Sequence, residues 1–177
     1  MSPAVTDVRL RPLRDDDWPL MRGWLGRPEI VRWWGPKASS EAAVIMAMGS
    51  TLALCRIIEA AGAAGVEPVG YAHAVDAALW GETLPDGLVP GSWDIDLFIA
   101  APAYRNQGLG QRALTLIRDE VFETTLALAV AMSVSIANER AVRACEQSGF
   151  RWRGVRHQPD TGPAWLMTME RPRPGTG

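Results

Sequence analysis

The spacing of apolar positions along this chain changes several times, and each change marks an element. Val8 to Leu13 alternates as a strand, with Pro12 near its end. Asp15, Asp16 and Asp17 then supply an N-cap and negative charge for a helix start. Trp18 to Leu25 reads as that short helix, with Pro19 tolerated in its first turn. Pro28 to Pro36 is too short for a core helix and too apolar for an ordinary linker. Ser39 and Ser40 can cap a second helix to about Met48. Thr51 to Glu59 and Glu67 to Val75 read as strands joined by a turn over 60–65, and 77–92 is a long loop. Trp93 to Ile99 alternates: Trp93, Ile95, Leu97 and Ile99 on one face, Asp94, Asp96 and Phe98 on the other. A tight glycine-containing turn leads to a helix from Leu109 to about Phe122. Leu128 to Ser135 is a strand, and Asn138 to Gln147 a helix closed by Gly149. Phe150 to Arg156 and Trp165 to Glu170 are the late strands. Antiparallel strands come first, then strand, helix, strand, helix, strand. That order predicts an α/β domain: a mixed, mostly antiparallel central sheet flanked by helices. No repeat or linker divides it, so 1–177 is expected to be one domain, with a core over about 6–171 and a loose tail over 172–177.

Composition narrows the function classes. With 47% hydrophobic and 21% charged residues, the chain is of globular type. Twenty acids against eighteen Lys and Arg argue against a protein built to neutralise phosphate backbones, so no nucleic-acid partner is expected. Cys55 and Cys145 are the only cysteines and His73 and His157 the only histidines, which leaves no metal-site spacing. The longest apolar stretch, Leu126 to Met132, is seven residues. No membrane span or leader is expected, and the chain is read as cytoplasmic, a monomer or a homodimer.

The sharpest local signal is Arg105-Asn106-Gln107-Gly108-Leu109-Gly110, between a strand and a helix. Two glycines leave backbone N–H groups unshielded, the helix start adds unpaired donors, and Arg105 can add charge-assisted bonds. Together these favour a pyrophosphate. The same glycines also suit a plain strand-to-helix turn. The spacing is neither the full dinucleotide fingerprint nor the P-loop.

A second signal is charge. Ile57 to Tyr104 contains seven acids and no Lys or Arg, a local negative field that attracts a cationic ligand. An amine is protonated at pH 7, so it binds as a cation and must lose a proton before it attacks. Asp94 and Asp96 share one face of an otherwise apolar strand, which costs desolvation unless they are used, paired or solvated. Trp33, Trp34, Trp80 and Trp93 are candidate pocket walls, each with core packing as its alternative. His73 is either a cleft residue or a hydrogen-bonded strand residue. His157 and Asp160 sit in a late loop within reach of a substrate.

The two motifs in order resemble the GCN5-related N-acetyltransferase (GNAT) superfamily. Arg105, Gly108 and Gly110 fit its pyrophosphate loop. Asn138, Ala141, Gly149 and Phe150 fit its later motif, with Cys145 where the family carries a tyrosine. A narrower similarity is to bacterial aminoglycoside 6′-N-acetyltransferases and their siderophore-acylating relatives, through RPEIVRWWG (27–35), PVGYAHA (68–74), WDIDLFIA (93–100) and the segment 149–167. Ser133 stands where well-known members carry an acid.

The resemblance implies acetyl-CoA as cofactor, held by Arg105, Asn106, Gln107, Gly108, Leu109 and Gly110, with Asn138 and Ala141 near the pantetheine arm. Backbone N–H groups near Phe98 or Ile99 would polarise the thioester. The acceptor is expected to be a small-molecule, cationic amine bounded by Trp33, Trp34, His73, Trp80, Trp93 and Asp160. Asp96, and secondly Asp94, would orient and deprotonate the amine. Cys145 would either protonate the departing thiolate or serve as a small buried hydrophobe. The alternatives are acylation of a siderophore-precursor hydroxylamine, and a non-catalytic acyl-CoA-binding domain.

Overall fold

The computed structural model describes residues 5–62, 65–81, 83, 84 and 86–173. The elements are β1 (Val5–Pro12), α1 (Trp18–Leu25), α2 (Pro28–Trp34), α3 (Lys37–Met48), β2 (Ala53–Gly62), β3 (Gly65–Asp76) and β4 (Ser92–Ile99). They continue with α4 (Leu109–Thr124), β5 (Ala129–Ser135), α5 (Glu139–Gln147), β6 (Arg151–Gln158) and β7 (Gly162–Glu170). The seven strands form one sheet in the order β1-β2-β3-β4-β5-β7-β6. Every neighbouring pair is antiparallel except β4 and β5. The expected mixed sheet is therefore present, and its one parallel contact lies in the middle.

Alternation along β4 sends residues into two separate cores. Trp93 and Ile95 pack under α4 with Leu109, Leu114, Ile117 and Val130, and Leu97 and Ile99 border the same cluster. Phe98 faces the opposite layer with Trp24, Leu25, Ile30, Val44 and Tyr71. There Trp34 stands edge-on to Phe98, ring centres 4.9 Å apart, and Trp24 does so at 6.1 Å. Such pairs add about 0.5–1.5 kcal/mol each beyond the area they bury. β3 is covered on both faces, and Val69 and Tyr71 to Val75 are nearly all fully buried.

Several sequence expectations need correction. Pro28–Trp34 is a helix, because Pro28 occupies its first turn and Ile30 has a core to enter. Asp17 does not cap α1 with its side chain; its carboxylate accepts both Arg11 nitrogens at 2.7 and 2.8 Å instead. Ser40 does not cap α3 but donates to the Trp34 carbonyl at 3.2 Å. That bond closes the elbow between α2 and α3, where Gly35 sits at φ +88°. The turn placed over 60–65 is shorter, with strand continuing to Gly62 and resuming at Gly65; residues 63 and 64 lie outside the described residues. Among the described residues, no helix is long and apolar enough to cross a membrane.

Backbone proximity fixes one glycine on β3. A Cβ on Gly70 would meet the Phe98 carbonyl oxygen at 2.2 Å, while one on Gly154, in the edge strand β6, meets nothing within 4 Å. Gly70→Ala should cost about 2–4 kcal/mol through forced backbone displacement. Gly154→Ala should be near neutral. Thermal unfolding of the pair tests this, and equal midpoints for the two variants would contradict the close approach.

Candidate active site

The parallel pairing of β4 with β5 covers only Ser92↔Ala129, Trp93↔Val130 and Asp94↔Ala131. Past Asp94 the two strands separate, and the gap opens into a cleft of about 880 Å³. Parity decides what β4 offers it. The Ala100 N–H donates to Val69 O at 2.8 Å. By alternation Asp96 and Phe98 also turn their backbone groups to β3, and Leu97 and Ile99 turn theirs toward the gap. The Leu97 N–H agrees with this: it bonds the Asp96 carboxylate at 2.9 Å rather than β3. Phe98 lines the cleft and contributes a ring to the aromatic layer, while the N–H groups turned to the gap are those of Leu97 and Ile99.

At one end of the cleft lies the glycine loop. Gly108 is the residue before α4 and is left-handed at φ +74°, with no side chain capping the helix start. A Cβ there would meet no protein atom within 4 Å. The loop thus leaves open space in front of the donors of the first helical turn, a cradle that a side chain would fill. The loop is tied down from within. Gln107 Nε2 donates to Ala103 O at 2.7 Å, and Arg140 bridges from α5 to Asn106 Oδ1. Arg105 turns inward: Nε meets Ile99 O at 3.0 Å, and Nη2 meets Ala100 O at 2.9 Å and Glu29 at 3.1 Å. Its guanidinium braces the end of β4 against α2, and the residue lines the cleft beside Gly108. Leu109 anchors the helix in the core, and a Cβ on Gly110 would meet the Leu97 and Ile99 side chains at 4.0 Å. Asn138 caps α5 by accepting from the Ala141 N–H at 3.3 Å, and both line the cleft.

A second space of about 230 Å³ opens on the α2–α3 side of the sheet. Asp94, His73 and Ser40 line it, and Trp34, Asp96, Ser133, Gln158 and Asp160 border both spaces. Asp96 and His73 are directly opposed on β4 and β3. Burial pushes the Asp96 carboxyl up to about 8, helped by the charge of Asp94, while the Leu97 N–H and the Trp34 indole pull back. Asp94 rises to about 6 through burial, restrained by Arg156. Both carboxyls border a chamber wide enough for water, which tempers the upward push. Burial holds His73 down at about 4, so its ring is neutral at pH 7, and Tyr71 Oη lies 3.3 Å from its Nδ1.

The other expected residues separate clearly. Trp33 lines the cleft beneath Arg32, whose guanidinium carbon lies 4.5 Å from the ring centre. Trp93 is a core residue under α4, on the face opposite Asp94 and Asp96, and is corrected as a pocket wall. The Trp80 side chain lies outside the described residues. Asp160 comes from the turn between β6 and β7 and approaches Gly35 so closely that a Cβ there would meet Asp160 Cβ at 3.0 Å. Cys145 is 1% exposed, with Sγ 3.5 Å from Met132 Sδ and a thiol pushed up to about 12 by burial. Sequence reasoning missed Glu29, Gln158 and Arg156. Their only signal was strand or helix parity, which has no meaning until the partner elements are known.

The geometry has counterparts. Residues 14–157 match the family described as "Acetyltransferase (GNAT) domain". Aminoglycoside N(6′)-acetyltransferase type 1 from Klebsiella pneumoniae is 30% identical over 174 residues, covering 93% of this chain and 83% of the relative, and the Serratia marcescens protein matches equally. The structure of aminoglycoside acetyltransferase AAC(6′)-Ib with coenzyme A superposes with a TM-score of 0.79 at 27% identity, covering 93% of this chain and 95% of that one. The AAC(6′)-Ib complex with coenzyme A and kanamycin gives 0.78. Spermidine N-acetyltransferase from Vibrio cholerae shares the fold at a TM-score of 0.72 and 15% identity. The chain belongs to the GNAT acetyltransferase family. It is an acetyl-CoA-dependent N-acetyltransferase.

The raised Asp96 carboxyl makes a stability prediction. Its folded pKa, about 8, lies above the unfolded value near 3.8, so the native state binds the extra proton between them. Stability therefore falls as pH rises through that window. Asp96→Asn removes the penalty. The ligand-free variant should melt about 3 °C or more above the wild type at pH 9, with the difference shrinking toward pH 4. A wild-type advantage at pH 9 would contradict the burial of this charge.

Proposed function

We propose that this chain transfers acetyl from acetyl-CoA directly to an amine of an aminoglycoside-type acceptor, with no covalent enzyme intermediate. The observation that carries this reading is the position of Asp96. It borders both the cleft beneath the glycine loop and the acid-lined chamber, at the point where the two spaces join. Two substrates entering from opposite sides meet there.

Acetyl-CoA supplies the activated acyl group as a thioester. The open space at Gly108 and the uncapped start of α4 suit its pyrophosphate, and the Ile99 N–H faces the gap where a carbonyl oxygen gains negative charge, while the Leu97 N–H holds the Asp96 carboxylate. Arg105 serves by holding the end of β4 and the loop in register. On the other side, Asp94 and Asp96 receive the ammonium group beside Trp34. An arriving cation favours the ionised form of Asp96, which then accepts the amine's proton. With a pKa near 8 it is matched to that task better than an ordinary carboxylate. The neutral His73 ring adds no competing charge.

Cys145 takes no proton-transfer role in this scheme. A thiol near 12 is a poor acid toward a coenzyme thiolate, whose pKa is about 8.5 as for a simple thiol. Its packing against Met132 makes it a buried spacer where the family carries tyrosine, and solvent in the cleft protonates the thiolate. A neutral siderophore-precursor hydroxylamine would leave the acid pair without a cation to bind, so the amine reading is preferred.

The test is thiol release measured against aminoglycosides, polyamines and hydroxylamine-bearing lysine derivatives. Turnover should appear with aminoglycosides, and turnover confined to hydroxylamines would overturn the acceptor assignment. Asp96→Asn should slow the reaction by roughly 10²–10⁴-fold with coenzyme A affinity nearly unchanged, while Cys145→Ala should cost under about tenfold. A fast Asp96→Asn enzyme and a folded, inactive Cys145→Ala enzyme would place the chemistry at the thiol. Gly108→Asp should weaken coenzyme A binding in calorimetry by setting a carboxylate in the phosphate cradle.

A further inference from the structure

The surroundings of the acid pair are not uniformly acidic. Strand parity places Ser133 and Ser135 on the face of the sheet that carries Asp94, through the pairing Asp94↔Ala131. Ser135 pairs with Ala164 on β7, and Ala164 pairs with Arg156 on β6. Arg156 therefore starts two strands away, on the acceptor face. Ala164 has no bulk to lift it off the sheet, and the side chain lies across β7 to reach β5. There Nη1 donates to Ser133 Oγ at 2.9 Å.

Among the described residues the Ser133 hydroxyl is the one hydrogen-bond acceptor of this guanidinium, which has five N–H donors, and Arg156 lines the cleft. Its charge reaches Asp94 without an ion pair forming between them. Asp160 brings an acid to both spaces, from the turn beside Gly35. Opposite charges thus meet where the two spaces adjoin. Asp94 lines the chamber, Asp96 and Asp160 border both spaces, and the pinned guanidinium lines the cleft, bonded to the Ser133 that borders both.

We propose that Arg156 is a specificity-determining residue for the acceptor: it reserves the position on its side of the reacting amine for a hydroxyl or ring oxygen and turns away a second ammonium group there. This rests on reading the site as an aminoglycoside-type acetyltransferase. A hydroxyl oxygen accepts from the guanidinium, whereas an ammonium has only donors and the same charge. In a partly desolvated chamber that difference is worth about tenfold in kcat/KM. A second amine elsewhere on the acceptor is not opposed, because Asp160 can receive it.

Kanamycin A and kanamycin B test this, since they share the reacting 6′-amine and differ on that ring by a 2′-hydroxyl against a 2′-amine. The wild type should favour kanamycin A by about tenfold in kcat/KM, mostly through KM. Arg156→Gln, which can keep the bond to Ser133 without the charge, should bring the two within about twofold. Arg156→Lys, which keeps the charge, should retain the preference. A wild type indifferent to the 2′ group, or an Arg156→Gln variant with an unaltered ratio, overturns the proposal. So does an equal loss on both acceptors in both variants, which would mark Arg156 as a brace for the sheet. Calorimetric affinities of the two kanamycins for the coenzyme A-saturated protein separate this from the parent reading. Absence of turnover with either defeats the aminoglycoside assignment, whereas equal affinities defeat the role of Arg156.

Discussion

The three-residue parallel contact between β4 and β5 is the constraint on which the rest of the site depends. Continued to Ile99, it would have satisfied the backbone of both strands and left no room between the two layers. Instead the strands part after Asp94, and the Leu97 and Ile99 amides face a cleft. The separation is held from both sides. α4 and α5 pack on one face, and α1 to α3 pack on the other. A strand edge kept open inside a sheet offers hydrogen bonds to an extended ligand, and it also lets the two faces communicate at Asp96.

The aromatic layer gives that opening its shape. Trp34 touches Phe98, Tyr71 and His73, and it reaches the Asp96 carboxylate with its indole. Its position is set by the elbow at Gly35, closed by Ser40 and covered by Asp160. One residue therefore links the α1–α3 core, the acid pair and the late β6–β7 turn. This explains how a seven-residue helix with little stability of its own matters to the site: tertiary packing, not propensity, holds it.

Charge is distributed with the same economy. The acids between Ile57 and Tyr104 do not form one patch. Glu59 pairs with Arg11 at 2.7 Å, Glu67 accepts from Tyr104, and Asp76 caps its own turn. Asp94 and Asp96 are left at the chamber floor, where burial raises both. The local negative field inferred from sequence thus resolves into two carboxyls left at the chamber and several engaged in structural bonds.

By itself the sequence determined the mixed sheet, the alternation of β4, the glycine loop at the start of α4 and the caps of α5, because each depends on neighbours a few residues apart. It also determined the family, since Arg105, Gly108, Gly110, Asn138, Ala141, Gly149 and Phe150 stand at fixed spacings. It left open what depends on the third dimension. Arg105 lines the cleft, as its charge suggests, but its partners Ile99 O, Ala100 O and Glu29 are visible only in the fold. Trp93 and Trp34 look alike as pocket walls until the sheet assigns one to each face. Arg156 and Ser133 are 23 residues apart and meet only because β7 lies between their strands with an alanine beneath the arginine. Local pattern is written in short-range periodicity, while charge pairing and burial are settled by which strands become neighbours.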